Sequence, residues 1–207
     1  MDYGKLKREA EQALTGRWGL AAGTYFVYLL VTLPLQFIPK IGGIFALFLT
    51  APMVVGLARF ALNIAQGQEA RLDDIFSGFK QYTRALGTMF LSGLYIFLWF
   101  LCLIVPGIIA AFSYSQIYFI LTDDDTLSVE EVLAKSKKMM DGYKMDLFIL
   151  QLSFIGWALL CVLTLGIGFF LLAPYVQVSL ANFYLLVKAN YEAENGVVVS
   201  TDIPVVS

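Results

Sequence analysis

The chain has 207 residues, of which 59% are hydrophobic and only 14% are charged, and its formal net charge at pH 7 is −2. A soluble domain is typically about half apolar and about a quarter charged, so this composition argues against a soluble fold. The near-neutral charge without a basic domain argues against nucleic acid as a partner. Because the chain contains no histidine, it has no His-based metal site and no histidine general base.

Three long uncharged runs indicate the architecture. They cover residues 18–39, 85–122 and 147–187, which are 22, 38 and 41 residues long. About 20 apolar helical residues cross a bilayer core of roughly 30 Å, so each of the two longer runs suits two crossings. The sequence therefore predicts an all-α membrane fold with six transmembrane helices arranged as three hairpins. The predicted spans are 18–38, 43–65, 86–105, 107–122, 147–165 and 168–188.

Glycine and proline interrupt the apolar runs where a hairpin has to turn. Proline suits the first turn of a new helix, and glycine permits a tight reversal. The predicted turns are Pro39-Lys40-Ile41-Gly42-Gly43, Val105-Pro106-Gly107 and Leu165-Gly166-Ile167-Gly168. The two cysteines, Cys102 and Cys161, lie inside apolar runs, which is typical of small hydrophobic residues rather than of a disulfide or a metal site.

A polar segment with helical periodicity precedes each hairpin. These segments are the N-terminus, 72–86 and 128–143, with apolar residues three or four positions apart. Ser128 and Glu131 form a capping box that predicts the start of the third segment. An amphipathic cytoplasmic helix followed by a hairpin is thus predicted three times. The predicted units are 2–66, 70–122 and 127–190, within one membrane domain over 1–190, and 191–207 is predicted as a flexible cytoplasmic tail.

Lysine and arginine predict the orientation. If the N-terminus is cytoplasmic, 13 of the 14 basic residues lie inside and only Lys40 lies outside. The positive-inside rule then predicts that both termini are cytoplasmic. All 16 acidic residues fall on the same side. The run Asp123-Asp124-Asp125 lacks the glycine and the distant glutamate of a calcium loop, so it is interpreted as a solvated loop before a helix N-terminus.

Several short stretches, spread over most of the chain, resemble one family. They are Ala13-Leu14-Thr15-Gly16-Arg17-Trp18, Val105-Pro106-Gly107-Ile108-Ile109, Ser136-Lys137-Lys138-Met139-Met140-Asp141-Gly142-Tyr143-Lys144, Leu152-Ser153-Phe154-Ile155-Gly156-Trp157, Thr164-Leu165-Gly166-Ile167-Gly168 and Ala173-Pro174-Tyr175. In these the chain resembles the uncharacterised integral membrane family of Gram-positive bacteria known as the domain of unknown function, number 975. The chain departs from it at Asp123-Asp124-Asp125, where the family often has Asn-Pro. The resemblance implies a multi-pass protein of the bacterial plasma membrane and brings no activity with it.

Polar side chains within the predicted spans form the first group of candidate site residues. They are Tyr114, Gln116, Gln151, Tyr175, Gln177 and Asn182. One interpretation is a polar cavity between the second and third hairpins that holds a small solute or a lipid head group. The other is hydrogen bonding between helices, at about 0.6 kcal/mol per contact, and the sequence favours this second interpretation.

Cations near the inner ends of the spans form the second group. Arg59, Lys135, Lys137, Lys138 and Lys144 are the candidate contacts to lipid head groups. Each such charge near an anionic surface contributes about 1 kcal/mol, so lipids of the anionic inner leaflet are the expected partners. For Arg59 and Lys144 the alternative is snorkelling to the interface. A membrane-protein partner or a second copy of the chain is a further candidate.

Three functions remain open from the sequence. The favoured one is a non-catalytic membrane protein that acts on lipids or on partner proteins, as a scaffold or an accessory subunit. The alternative is a transporter or channel for a small solute, through a polar cavity between the fourth and sixth spans. An intramembrane enzyme is least favoured, because the sequence offers no histidine, carboxylate pair or Ser–Lys pair at membrane depth for acid–base work. No ionisable residue is expected at mid-membrane, and no catalytic residue, metal or cofactor is expected.

Overall fold

The computed structural model describes residues 3–36, 42–164, 166 and 168–195. In this part of the chain all regular structure is helical, and a 3₁₀ helix over Leu72–Gln81 lies between the third and fourth α-helices. The α-helices are α1 (Tyr3–Leu14), α2 (Trp18–Gln36), α3 (Gly42–Ala65), α4 (Tyr82–Cys102), α5 (Ile104–Ser113), α6 (Ile117–Asp123), α7 (Val129–Met139), α8 (Lys144–Leu152), α9 (Ile155–Leu163) and α10 (Phe169–Glu194). The predicted outer residue Lys40 and most of the predicted tail lie outside the described residues, and α10 includes the beginning of that tail.

Several segments could cross a membrane. Five are long and apolar enough by length and composition, with 18 to 30 residues each. They are Phe48–Ala65, Leu72–Leu101, Ile104–Asp123, Lys144–Leu163 and Phe169–Glu194. The segment Trp18–Pro34 is also apolar but shorter. The predicted all-helical class is confirmed for the described residues, and these segments are compatible with a multi-pass membrane protein.

The fourth and fifth predicted spans are each broken into two helices. α5 ends at Ser113 and α6 begins at Ile117, while α8 ends at Leu152 and α9 begins at Ile155. A serine hydroxyl lies at each break. Ser115 Oγ donates to the carbonyl of Phe112 at 2.8 Å, and Ser153 Oγ donates to the carbonyl of Leu150 at 2.6 Å. These hydroxyls compete for carbonyls near the helix ends, which apolar periodicity alone does not reveal.

The reversal between α4 and α5 comes earlier than predicted. Leu103 is extended, with φ −163° and ψ 146°, whereas the sequence placed the turn at Val105-Pro106-Gly107. Pro106 belongs to the first turn of α5, where the missing N–H costs no hydrogen bond. Gly107 then packs against the ring of Phe100, because a Cβ there would lie 2.5 Å from the ring. The glycine therefore closes the hairpin by permitting close approach.

The second predicted amphipathic α-helix, 72–86, is instead a 3₁₀ helix that ends at Gln81. Two glycines hold it against α3. A Cβ on Gly56 would lie 1.9 Å from the carbonyl oxygen of Ile75, and a Cβ on Gly78 would lie 1.9 Å from that of Pro52. This close backbone packing is a tertiary effect. The capping box before α7 is confirmed, since Glu131 Oε2 accepts from the backbone N–H of Ser128 at 2.7 Å.

The N-terminal helix α1 packs along three other helices. Its buried stripe is Leu6, Ala10 and Leu14, spaced four residues apart. Asn182 Nδ2 of α10 donates to the carbonyl of Leu6 at 3.4 Å, which ties the two helices together. Tyr3 Oη donates to Asp146 Oδ1 of α8 at 2.5 Å, and this hydrogen bond raises the pKa of Tyr3.

A second contact places a charge of α1 beside a candidate span. Lys7 Nζ donates to the carbonyl of Ser153, at the α8–α9 break, at 3.3 Å. It also lies 4.6 Å from the ring centroid of Phe154. The sequence predicted no ionisable residue at mid-membrane, and Lys7 lies beside the middle of the predicted fifth span. It lies there because α1 packs against α10 and α3, which places Tyr3 beside α8 and Lys7 beside the α8–α9 break.

Candidate functional site

The 3₁₀ helix presents three different faces, because every third residue of such a helix lies in line. Ile75 and Gly78 are buried against α3. Phe76 and Phe79, continued by Tyr82 at the start of α4, form an exposed row that we call the aromatic ladder. The centroids of its neighbouring rings are 6.3 Å apart in both pairs. The three rings are 49%, 37% and 38% exposed, so they are available to a membrane interface or a ligand.

The third face of this helix borders a cleft of about 540 Å³, which we call the cationic cleft. The cleft is lined by Arg59 of α3, Lys80 of the 3₁₀ helix and Arg84 of α4. Asp125 is the one carboxylate among its lining residues. The hydroxyl-bearing residues Ser77, Tyr82 and Thr83 complete the polar wall. Three cations opposite one carboxylate give the cleft an excess of positive charge.

The two arginines are held by neutral oxygens. Arg59 Nη2 donates to the carbonyl of Thr122 at 3.3 Å. Arg84 Nη1 donates to Gln81 Oε1 at 2.7 Å, and Nη2 donates to the carbonyl of Asp124 at 3.1 Å. These acceptors carry no net charge, so they orient the guanidinium groups without cancelling their charge. The Nε of Arg84 is buried and has no hydrogen-bond partner in the described part of the chain.

Lys80 is the third cation that lines the cleft. It makes no hydrogen bond and no ion pair with any residue that the structure describes. An ammonium group carries three donors and no acceptor, so it is suited to the oxygens of an anion. Lys80 thus supplies donors that no described residue uses, and Arg84 adds a second positive charge to the lining of the cleft.

The loop that follows α6 forms the edge of the cleft, and each of its aspartates contacts a different element. Asp123 Oδ2 accepts from Lys188 Nζ at 2.6 Å and from Tyr184 Oη at 2.9 Å, both on α10. Asp125 accepts a hydrogen bond from Gln81. The sequence suggested a solvated loop, whereas the structure uses it to join α6, α10 and the 3₁₀ helix.

The middle aspartate of the loop is held locally. Asp124 Oδ1 accepts from the hydroxyl of Thr126 at 2.6 Å and from its backbone N–H at 3.0 Å. These hydrogen bonds stabilise the carboxylate and lower the pKa of Asp124. Lys135 Nζ of α7 lies 3.9 Å from Asp124 Oδ2 and acts in the same direction.

Three of the six residues predicted to line a polar cavity come from the second hairpin and α8. Tyr114 stacks on Tyr95 of α4, with ring centroids 6.1 Å apart. Gln116 is buried and donates to Ser115 Oγ at 3.0 Å, and its own Oε1 has no partner in the described part of the chain. Gln151 is exposed on α8. These residues lie in separate surroundings.

The other three lie on α10. Tyr175 packs edge-on against Phe154, with ring centroids 5.6 Å apart, and its ring centroid lies 6.4 Å from that of Trp18. Asn182 donates a hydrogen bond to the carbonyl of Leu6 in α1, and Gln177 is half-buried. Asn182 therefore joins two helices, which is the hydrogen-bonding role that the sequence favoured for the polar group.

The predicted lipid contacts are also dispersed. Arg59 lines the cationic cleft, whereas Lys135 faces Asp124 and Lys144 Nζ lies 3.7 Å from Asp141 Oδ1. Lys137 and Lys138 are exposed in the last turn of α7. Sequence reasoning missed Lys80 and Arg84. The three-residue spacing of the aromatic ladder was the available signal, but it also fits one side of an α-helix.

A second pocket, of about 320 Å³, lies among α1, α2, α9 and α10. Its lining residues are Glu11, Trp18, Trp157, Cys161, Gly168, Leu171, Leu172 and Tyr175. We call it the acidic aromatic pocket. Among the described residues no group of three His, Cys, Asp or Glu side chains could hold a metal ion. Of its lining residues, only Tyr175 was a predicted site residue.

No curated protein and no solved structure matches the chain. The model of a family described as a protein of unknown function (DUF975) matches residues 100–191. This segment runs from the end of α4 into the last turns of α10, and it contains most of the stretches that carry the resemblance noted from the sequence. Residues 100–191 are therefore similar to the DUF975 family, whose function is unknown, and this match supports the resemblance noted from the sequence.

Proposed function

We propose that the chain is a non-catalytic, multi-pass membrane protein that binds the anionic head groups of membrane lipids. The observation that carries this proposal is the cationic cleft beside the aromatic ladder. The cleft supplies positive charge for a phosphate group. The ladder supplies exposed aromatic rings, and Tyr82 is of the residue type that concentrates at the boundary between bilayer and water.

The chemistry of the cleft favours a phosphodiester over other ligands. Guanidinium and ammonium groups form strong, charge-assisted hydrogen bonds with phosphate oxygens. The ammonium group of Lys80 has donors that no described residue uses, and the guanidinium groups of Arg59 and Arg84 add positive charge. The hydroxyls of Ser77 and Thr83 can bond the glycerol or sugar part of a head group. The cleft volume of about 540 Å³ is large enough for a phosphodiester with its glycerol or sugar part.

The same cleft offers little for catalysis. Acid–base catalysis needs a group that can exchange a proton near neutral pH, and histidine is absent from the chain. Asp125, the one carboxylate of the cleft, is hydrogen-bonded to Gln81. Transport is not proposed either, because the six polar residues predicted to share a cavity contact separate neighbours.

The membrane arrangement is part of the proposal. We propose six spans in the bacterial plasma membrane, with both termini in the cytoplasm and the cationic cleft at the anionic inner leaflet. The support is that 13 of the 14 basic residues fall on one side. One observation opposes it for α1: this helix packs beside α8 and α9, and Glu11 shares a pocket with Gly168, next to the predicted outer turn.

Cysteine labelling on whole cells tests this arrangement. Single cysteines are introduced by Thr164→Cys, Asp141→Cys and Thr15→Cys, after Cys102→Ser and Cys161→Ser remove the natural thiols. The proposed orientation predicts that an impermeant maleimide labels only the cysteine at 164. Labelling at 15 would show that α1 crosses the membrane beside α8 and α9, and labelling at 141 would reverse the orientation.

Lipid binding is tested with short-chain phosphatidylglycerol and protein in dodecyl maltoside micelles. Lys80→Gln should weaken binding about tenfold, because it removes one free cation of the cleft. Arg71→Gln is the matched control, since it removes the same charge just before the same helix and outside the cleft. Equal effects of the two substitutions would overturn the proposal. A loss confined to the triple variant Lys135→Gln, Lys137→Gln, Lys138→Gln would move the lipid site to α7.

A further inference from the structure

The acidic aromatic pocket contains one carboxylate among its lining residues, that of Glu11. The side chain of Glu11 makes no hydrogen bond and no ion pair with any described residue. Lys7, one turn earlier, makes no ion pair with Glu11, because its ammonium group is bonded to the carbonyl of Ser153 and lies over the ring of Phe154. Glu11 is exposed and lines the pocket together with Trp157 and Cys161 of α9, which belong to a segment apolar enough to span a membrane. An ionised group beside such a segment is costly unless a counter-charge accompanies it.

Three aromatic residues line the pocket with this carboxylate. Trp18, Trp157 and Tyr175 all line the pocket with Glu11, and the ring centroids of Trp18 and Tyr175 are 6.4 Å apart. The faces of tryptophan and tyrosine rings attract cations, and groups of such rings recognise alkylated ammonium ions. The remaining walls include Leu171 and Leu172, which are purely apolar.

We propose that the acidic aromatic pocket binds an amphipathic organic cation, with its alkylated ammonium group between Glu11 and the aromatic rings and its tail against Leu171 and Leu172. The pocket volume of about 320 Å³ is at the lower end of the range for small-molecule sites, so it accommodates a head group and the first part of a tail. This site does not depend on the lipid-phosphate proposal, because it lies on other helices and has the opposite charge.

Other occupants fit the pocket less well. A metal cation requires several oxygen ligands, whereas Glu11 is the one carboxylate of the pocket. An anion would be repelled by Glu11. A neutral apolar molecule would leave the carboxylate without a counter-charge. An alkylated ammonium ion suits both the carboxylate and the aromatic rings of the pocket, because it is charged yet weakly hydrated.

The binding experiment uses decyltrimethylammonium and the full chain in dodecyl maltoside micelles, which contain no ammonium group. Isothermal titration calorimetry, corrected with a blank of empty micelles, measures the affinity. Glu11→Gln should weaken binding about tenfold. Glu9→Gln, on the same helix but paired with Lys5 at 3.8 Å and outside the pocket, should leave it unchanged. The uncharged probe 1-decanol should bind more weakly and should not respond to Glu11→Gln.

A fluorescence readout locates the ligand. Trp99→Phe leaves only Trp18 and Trp157, both of which line the pocket, so their emission should shift on addition of the ammonium probe. Equal binding by the parent protein and Glu11→Gln would overturn the proposal, as would equal binding of decanol and the cation. Because Glu11 has no partner in the described chain, Glu11→Gln should fold normally, and an unchanged melting temperature verifies this.

The source of the ammonium group is distinguished with a second probe. Dihexanoylphosphatidylcholine carries the same trimethylammonium group on a lipid. Tighter binding of this lipid than of decyltrimethylammonium supports the proposal with a lipid head group as the ligand. Tighter binding of decyltrimethylammonium than of this lipid supports the proposal with a free organic cation as the ligand. Absence of saturable binding for both probes would overturn it.

Discussion

The cationic cleft and the acidic aromatic pocket are two cavities of one helical fold with opposite charge. The cleft depends on contacts between backbones, because Gly78 lies against the carbonyl of Pro52. The pocket depends on side chains, because Gly168 lies against the Sγ of Cys161 and Glu11 arrives on the docked helix α1. A backbone wall cannot adjust to a larger residue, whereas a side-chain wall can. The first site should therefore be rigid and the second adaptable.

The largest expected effect comes from adding one methyl group to the rigid wall. In Gly78→Ala, the new Cβ would lie 1.9 Å from the carbonyl oxygen of Pro52. The 3₁₀ helix must then move away from α3, and we expect a loss of about 3 kcal/mol of stability. Thermal unfolding followed by circular dichroism, together with phosphatidylglycerol binding, measures it. Gly93→Ala, where nothing lies within 4 Å of the added atom, is the control and should be neutral or slightly stabilising.

A crossed pair of charge substitutions should separate the two sites. Lys80→Gln should weaken phosphatidylglycerol about tenfold, or about 1.4 kcal/mol, and leave decyltrimethylammonium unaffected. Glu11→Gln should weaken decyltrimethylammonium binding about tenfold and leave phosphatidylglycerol binding unaffected. Titration of both variants with both probes tests this. If either substitution weakened both ligands equally, the two cavities would not be independent sites.

Adding a methyl group should destabilise the adaptable wall of the acidic aromatic pocket less than the rigid wall of the cationic cleft. In Gly168→Ala the Cβ would lie 2.7 Å from Cys161 Sγ, which can rotate away, and 3.2 Å from Cys161 Cα, which needs only a small shift of the backbone. We expect a loss of about 1 kcal/mol and weaker binding of the ammonium probe, because the methyl group occupies part of the pocket. Gly156→Ala, in open surroundings on α9, serves as the reference. A loss as large as that of Gly78→Ala would show that the two walls are equally rigid.

The smallest expected effect is on the acid stability of the loop beside the cleft. The pKa of Asp124 is below its ordinary value of 3.8, so its carboxylate contributes stability above that pH. The contribution is lost as the pH falls through the lower, folded-state pKa. Asp124→Asn should therefore flatten the fall in melting temperature below about pH 5. Asp141→Asn, whose carboxylate is 86% exposed, should not. An unchanged slope for Asp124→Asn would show that its hydrogen bonds do not form.

The two amphipathic segments before α4 and α7 show which structural features local sequence patterns can predict and which they cannot. The start of α7 could be predicted because the capping box uses only Ser128 and Glu131, which are three residues apart. The 3₁₀ helix could not be predicted, because its form depends on Gly56 and Gly78, which let two distant backbones approach. The predicted α-helix over 72–86 was therefore wrong in type, although a helix was expected there.

The sequence by itself determined the helical class, the apolar segments and the position of the α7 cap, since hydropathy and capping are local properties. Only the tertiary structure decided the candidate sites. Lys80 and Arg84 share a cleft with Arg59 because the 3₁₀ helix folds back along α3. Glu11 reaches Trp157 and Tyr175 because the buried stripe of α1 docks against α10. These pairings join residues far apart in the chain, and close packing rather than sequence periodicity selects them.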